Sequence, residues 1–66
     1  MTSAALDAIR AAMALLAHGF TDYALAILEA CAKAETQPAV AMIKAGSIPR
    51  AIEWMREREQ QEEQEG

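Results

Sequence analysis

Two stretches of this chain follow one pattern. Residues 12–29 read AMALLAHGFTDYALAILE, and residues 39–56 read AVAMIKAGSIPRAIEWMR. Alignment of Gly19 with Gly46 sets an offset of 27 residues between them. Three alanine positions are then identical, and they are Ala12/Ala39, Ala14/Ala41 and Ala24/Ala51. Large apolar residues also coincide, as at Leu16/Ile43 and Leu28/Met55. The agreement predicts two copies of one structural unit.

The first copy has the sequence features of two helices joined by a tight turn. Glycine accepts the left-handed conformation just past a helix end, so Gly19 is predicted to end the first helix. Ser3 and Thr21 are the predicted N-caps of the two helices. Apolar residues recur at helical spacing on both sides of the turn, as Leu6, Ile9, Met13 and Leu16 before it and as Ala24, Ile27, Leu28 and Cys31 after it. These features predict a helical hairpin over residues 3–34.

The second copy predicts a second hairpin over residues 36–58. Thr36 and Pro38 are expected to open a third helix, because proline is tolerated in a first turn. Gly46 closes this helix, and Ser47 is expected to cap a fourth. The predicted fold class is therefore all-α, with four short helices arranged as two tandem helical hairpins in a single domain, residues 1–58.

The last eight residues differ in character from the rest. Residues 59–66 read EQQEEQEG and contain no apolar side chain. Their glutamates follow the C-terminal end of the predicted fourth helix, where the helix dipole disfavours negative charge. We expect this acidic tail to fray and to be disordered, serving solubility more than recognition of a basic partner.

Composition narrows the class of protein. A chain of 66 residues with one cysteine, Cys31, forms one small domain without an internal disulfide. No run of about 18 apolar residues is present, and no signal peptide is recognisable. We therefore expect a cytoplasmic protein with no membrane contact, in which Cys31 is a small buried apolar residue.

The chain has few residues of the types that usually catalyse reactions or bind metals. His18 is the only histidine, so it has no second imidazole with which to bind a metal, and its place suits the end of a helix. Cys31 has no activating base at a fixed spacing, and the carboxylates fall at solvent-facing positions. We expect no catalytic residue, no metal, no cofactor and no small-molecule substrate, and hence not an enzyme.

Gly19 is followed at +5, +9 and +12 by Ala24, Leu28 and Cys31, a spacing that resembles the tetratricopeptide repeat. In the second copy Gly46, Ala51 and Met55 match, whereas Arg58 stands where that family has a small residue. The 27-residue period is also shorter than the family's usual period of about 34. The resemblance implies a scaffold that presents helix faces to a peptide or protein. Because about three repeats are normally needed to bury a continuous core, we also expect a homodimer.

The sequence thus favours a small protein–protein interaction module, a bacterial or phage regulator, adaptor or inhibitor of a partner protein. Its expected partner-binding residues are the large apolar side chains near the two turns and on the last helix, which are Phe20, Tyr23, Ile48, Ile52 and Trp54. The alternative for Trp54 is a core position packed on the third helix, and the alternative for Phe20 is the hydrophobic contact of the first helix cap. The alternative is a helix-turn-helix DNA-binding regulator over residues 38–55. The formal net charge of −4 disfavours binding to nucleic acid.

Overall fold

Four helices make up most of the chain. The computed structural model describes residues 2–31 and 33–65, with the side chains of residues 33 and 65 left aside. The helices are α1 (Ser3–Ala17), α2 (Thr21–Ala30), α3 (Lys33–Lys44) and α4 (Ile48–Glu65), and the described residues contain no strand. The predicted all-α class is confirmed.

The two glycine turns have the same geometry. Gly19 and Gly46 adopt left-handed φ angles of 84° and 82°. After α1, the amides of Phe20 and Gly19 donate to the carbonyls of Leu15 (2.8 Å) and Leu16 (3.1 Å). After α3, the amides of Ser47 and Gly46 donate in the same way to Met42 (2.8 Å) and Ile43 (3.0 Å). This pair of bonds is the Schellman motif, which satisfies carbonyls that a helix end leaves open. Both glycines end helices as predicted.

The helix starts differ from the predictions in two places. Thr2, not Ser3, caps α1, since its Oγ1 accepts a hydrogen bond from the amide of Ala5 at 3.1 Å. Thr21 is the first residue of α2 and makes no capping bond, although Asp22 does lie in the first turn. In both cases the chain enters the helix one residue away from the predicted position.

The predicted start of α3 differs more from the structure. Because α3 begins at Lys33, Thr36 and Pro38 lie inside the helix and do not open it. Thr36 is fully buried, and its hydroxyl donates to the carbonyl of Leu28 in α2 at 2.9 Å. Thr36 was predicted near a helix start because threonine caps helices, but here its hydroxyl joins two helices inside the core.

The core is built largely from alanine. Among the residues whose burial the structure describes, half of the buried apolar ones are alanines, and these buried residues are Ala5, Ala8, Ile9, Ala12, Leu16, Ala24, Leu28, Ala39, Val40, Ile43, Ala51 and Met55. Four aligned pairs of the repeat are buried in both copies, namely Ala12/Ala39, Leu16/Ile43, Ala24/Ala51 and Leu28/Met55. The sequence repeat therefore coincides with a repeat in packing.

The helices contact one another in a closed ring. Each helix packs against the next along the chain, and α1 also packs against α4. In an open repeat array each unit contacts only its neighbours, and the first and last helices stay apart. Here the first and last helices cover each other, so the molecule is a small helix bundle.

The acidic C-terminal segment is helical. α4 continues to Glu65, whereas the sequence predicted fraying and disorder over residues 59–66, of which Gly66 lies outside the described residues. Glutamate and glutamine are good helix formers, which offsets the unfavourable dipole. Arg10 of α1 also contacts this segment, through its Nε to Glu59 at 2.7 Å and its Nη2 to Glu63 at 3.5 Å. These pairs bind the last turns of α4 to α1.

Candidate functional site

Two predicted partner-binding residues form an exposed aromatic pair at the first turn. Phe20 follows Gly19, and Tyr23 lies in the first turn of α2. Their rings meet edge to face, with centroids 6.0 Å apart and an interplanar angle of 65°. Phe20 is 51% exposed and Tyr23 is 66% exposed, which makes them the large apolar side chains most open to solvent in the described chain. The capping position of Phe20 therefore leaves half of its surface available for contact with another molecule.

Trp54 lies on the flank of α4 that faces α3. It is partly buried and packs against the core. Its side chain borders two grooves, one of about 340 Å³ shared with Ala34 and Pro38, and one of about 160 Å³ shared with Met42. The guanidinium of Arg58 lies over the indole ring, with Cζ 5.3 Å from the centroid. Trp54 thus packs against the core and also lines both grooves.

Ile48 and Ile52 lie on the other flank of α4. Both are partly buried against the core. Two residues along an α-helix turn by about 200°, so Ile52 and Trp54 lie on nearly opposite sides. Glu59, two turns after Ile52 and on its side of the helix, is the residue that Arg10 of α1 binds. The five predicted residues therefore fall into three separate places: the α1–α2 turn, the α3 side of α4 and the α1 side of α4.

Charge is divided unevenly along the chain. Residues 1–58 contain six basic and six acidic side chains, so they carry no net charge, and the four glutamates of residues 59–66 account for the whole −4. The hydrogen bond from Arg10 to Glu59, together with the charges of Glu59 and Glu63, raises the pKa of Arg10. Even with this guanidinium beside it, the end of α4 remains strongly negative.

The starts of α1 and α3 lie close to this acidic segment. The amide of Thr2 donates to Oε2 of Glu35 at 3.3 Å, and Glu35 lines the same groove as Glu62. Glu35 and Glu62 are 27 residues apart in sequence and belong to different helices. No local sequence pattern predicts this juxtaposition, because it depends on how α3 packs against α4.

The basic residues of α4 do not form a positive surface. Arg50 borders a groove with Glu53 and Glu57, and Arg56 borders another with the same two glutamates. A DNA-binding helix would need an excess of positive charge on the face that enters the groove. The outer face of α4 alternates in sign and lacks that excess.

The residues considered for chemistry lie at the surface. His18 occupies the C-cap of α1 and is exposed. Cys31 is also exposed, so the prediction that it is buried was wrong; α2 ends at Ala30, which leaves Cys31 in the extended link to α3. Within residues 2–31 and 33–65, no group of three or more His, Cys, Asp or Glu side chains could hold a metal ion. None of the helices, over the same residues, is long and apolar enough to cross a bilayer.

Comparisons with protein-family models, with curated proteins and with solved structures found no match to this chain.

Proposed function

We propose that the protein is a small interaction module that binds a partner protein and acts as its regulator, adaptor or inhibitor. The observation that carries the proposal is the exposed edge-to-face pair of Phe20 and Tyr23 at the α1–α2 turn. The pair sits on the Gly19 turn, whose backbone bonds fix the start of α2. Aromatic residues in such a position supply large contact area with little loss of conformational freedom.

Each ring of this pair can supply the energy of one dominant contact in a larger interface. Phenylalanine and tyrosine side chains bury roughly 150–250 Å² when fully covered, so covering the exposed part of each ring would bury about 100 Å² or more. At about 25 cal/mol per Å², each ring contributes about 2.5 kcal/mol. That is the magnitude found for the few residues that dominate binding in protein interfaces.

Charge argues against the alternative of a helix-turn-helix DNA-binding regulator. The second helix of that motif would be α4, where Arg50 and Arg56 alternate with Glu53 and Glu57. Nucleic-acid affinity comes largely from release of counterions by clustered cations. Duplex DNA should therefore not be retained at physiological salt, and sequence-specific retention in a gel-shift assay there would favour the alternative.

Site-specific photo-crosslinking tests the interaction directly. A photoreactive phenylalanine analogue replaces Tyr23 in the full chain, and the adducts formed in the native cells are identified by mass spectrometry. The control places the same analogue at Ala11, an exposed position on α1. We expect one heterologous adduct from position 23 that is absent from position 11.

Phe20→Ser then tests whether the aromatic pair is responsible. Because Phe20 is half exposed, the variant should keep its helical circular dichroism and unfold with a similar midpoint. The heterologous adduct from position 23 should be lost. Equal adduct yields with and without Phe20, or adducts formed solely with a second copy of the chain, would contradict the proposal.

A further inference from the structure

We propose that the groove between α3 and α4 binds a lysine- or arginine-bearing segment of a protein partner, with the indole of Trp54 and the carboxylates of Glu35 and Glu62 receiving its cation. The groove measures about 340 Å³, and its lining residues are Ala34, Glu35, Pro38, Trp54, Arg58 and Glu62. The inference rests on the proposed function and names the chemistry of a partner at a second surface, separate from Phe20 and Tyr23.

The indole of Trp54 already receives a cation from its own chain. Arg58 lies over the ring, with Cζ 5.3 Å from the centroid, inside the range of about 6 Å for a cation–π contact. Arg58 itself is exposed, and its other contact is a long hydrogen bond of 3.4 Å to the exposed Gln61. A guanidinium or ammonium from a partner can therefore replace Arg58 on the ring without breaking a buried interaction.

The carboxylates make the groove selective for positive charge. Two carboxylates, those of Glu35 and Glu62, line the groove, and Glu62 belongs to the segment that carries the entire net charge of the protein. The C-terminal end of α4 adds the negative end of its helix dipole at the same place. A field of one sign steers oppositely charged partners into a groove and accelerates their association.

Apolar residues complete the wall of the groove. Ala34, Pro38 and Trp54 line it together with the two carboxylates. They offer apolar contact to the methylene groups of an arginine or lysine side chain, while the carboxylates accept hydrogen bonds from its N–H groups.

The single tryptophan makes the test direct. Trp54 is the only tryptophan of the chain and lines this groove, so a change in its fluorescence reports binding beside the indole. The probe is a capped tetrapeptide of alternating leucine and arginine, and its control is the same peptide with citrulline, an uncharged isostere, in place of arginine. We expect saturable fluorescence change with the arginine peptide and none with the citrulline peptide.

Charge-neutralising variants locate the binding. Glu35→Gln with Glu62→Gln should weaken the arginine peptide roughly tenfold, as expected for the loss of two surface charge contacts. The matched control, Asp7→Asn with Asp22→Asn, removes the same charge from exposed positions outside the groove and should leave the dissociation constant nearly unchanged. Equal weakening by the two double variants, or equal binding of the citrulline peptide, would overturn the proposal.

Two further measurements separate this proposal from others. Spermine that binds as tightly as the arginine peptide would assign the groove to small polycations and would overturn the assignment to a protein segment. The Phe20→Ser variant should bind the arginine peptide with an unchanged dissociation constant. Failure of the peptide titration would leave the crosslinking result at Tyr23 untouched, so the two proposals fail independently.

Discussion

Replacement of either turn glycine by alanine should lower the free energy of unfolding by about 1 kcal/mol. Gly19 and Gly46 have φ angles of 84° and 82°, where an L-residue with a Cβ is strained. A Cβ built on either glycine meets no atom within 4 Å. The cost is therefore conformational alone, with no contribution from a clash.

The magnitude follows from two opposing effects. Holding an L-residue such as alanine in the left-handed region costs roughly 1–2 kcal/mol. Alanine is also less flexible than glycine in the unfolded chain, which returns about 0.4–1 kcal/mol. The net loss of about 1 kcal/mol should lower the melting temperature by about 4–8 °C in a domain of this size. Asparagine tolerates the left-handed region better, so Gly19→Asn should lose clearly less than Gly19→Ala.

Urea and thermal unfolding, followed by circular dichroism at 222 nm, measure these differences. The two turns lie in separate parts of the repeat with no shared hydrogen bond, so the losses in the double alanine variant should add. Alanine variants as stable as the parent protein would show that the left-handed φ angles do not require glycine. Equal losses of unfolding free energy for alanine and asparagine at one turn would also contradict this explanation.

Two core substitutions give further predictions from the same unfolding assay. Thr36→Val keeps the shape of a fully buried side chain but removes its hydrogen bond to the Leu28 carbonyl, and should cost about 1–2 kcal/mol, whereas Thr36→Ser should keep that bond. Met55→Ala removes a fully buried side chain and should cost about 2–5 kcal/mol, enough to unfold much of a small domain, while the partly buried Met42→Ala should cost less. A Thr36→Val variant as stable as Thr36→Ser, or a Met42→Ala loss that equals the Met55→Ala loss, would contradict the burial on which these values depend.

Most of the features of the fold that could be predicted from the sequence were predicted from the repeat. Local rules are strong at the turns, because glycine after a helix and the Schellman bonds involve only six consecutive residues. The aligned apolar positions then predicted the buried pairs, such as Leu16/Ile43 and Leu28/Met55. Both kinds of signal lie within one helix or one turn.

Features that depend on distant contacts were missed. Arg10 and Glu59 are 49 residues apart, and nothing local to either residue predicts that α1 would hold the end of α4. Thr36 and Pro38 both favour a helix start, yet α3 begins at Lys33. Tertiary packing overrides such local preferences, which differ by only a fraction of the energy of a buried side chain.

The sequence predicted which types of residue contact a partner, but it did not predict the surface that they form. Large apolar side chains near turns were chosen as contacts, and the structure separates them into an exposed pair, Phe20 and Tyr23, and partly buried ones, Trp54, Ile48 and Ile52. The groove acids Glu35 and Glu62 were not chosen at all. Exposure and juxtaposition depend on the packing of helices, which a single sequence does not report.

The closed ring also changes the physical basis for self-association. A homodimer is expected from the sequence if two repeats leave their outer faces uncovered, but α1 and α4 cover each other. The large apolar side chains that remain most open in the described chain are Phe20 and Tyr23. A stable interface needs about 800 Å² per partner, far more than the roughly 200 Å² that the exposed parts of two rings supply.

We therefore propose that a homodimer forms through the rings of Phe20 and Tyr23 and is weak. Sedimentation velocity should show mostly monomer at about 10 μM and a shift toward dimer only at much higher concentration. Phe20→Ser with Tyr23→Ser should abolish that shift, whereas a tight dimer that survives both substitutions would require another interface.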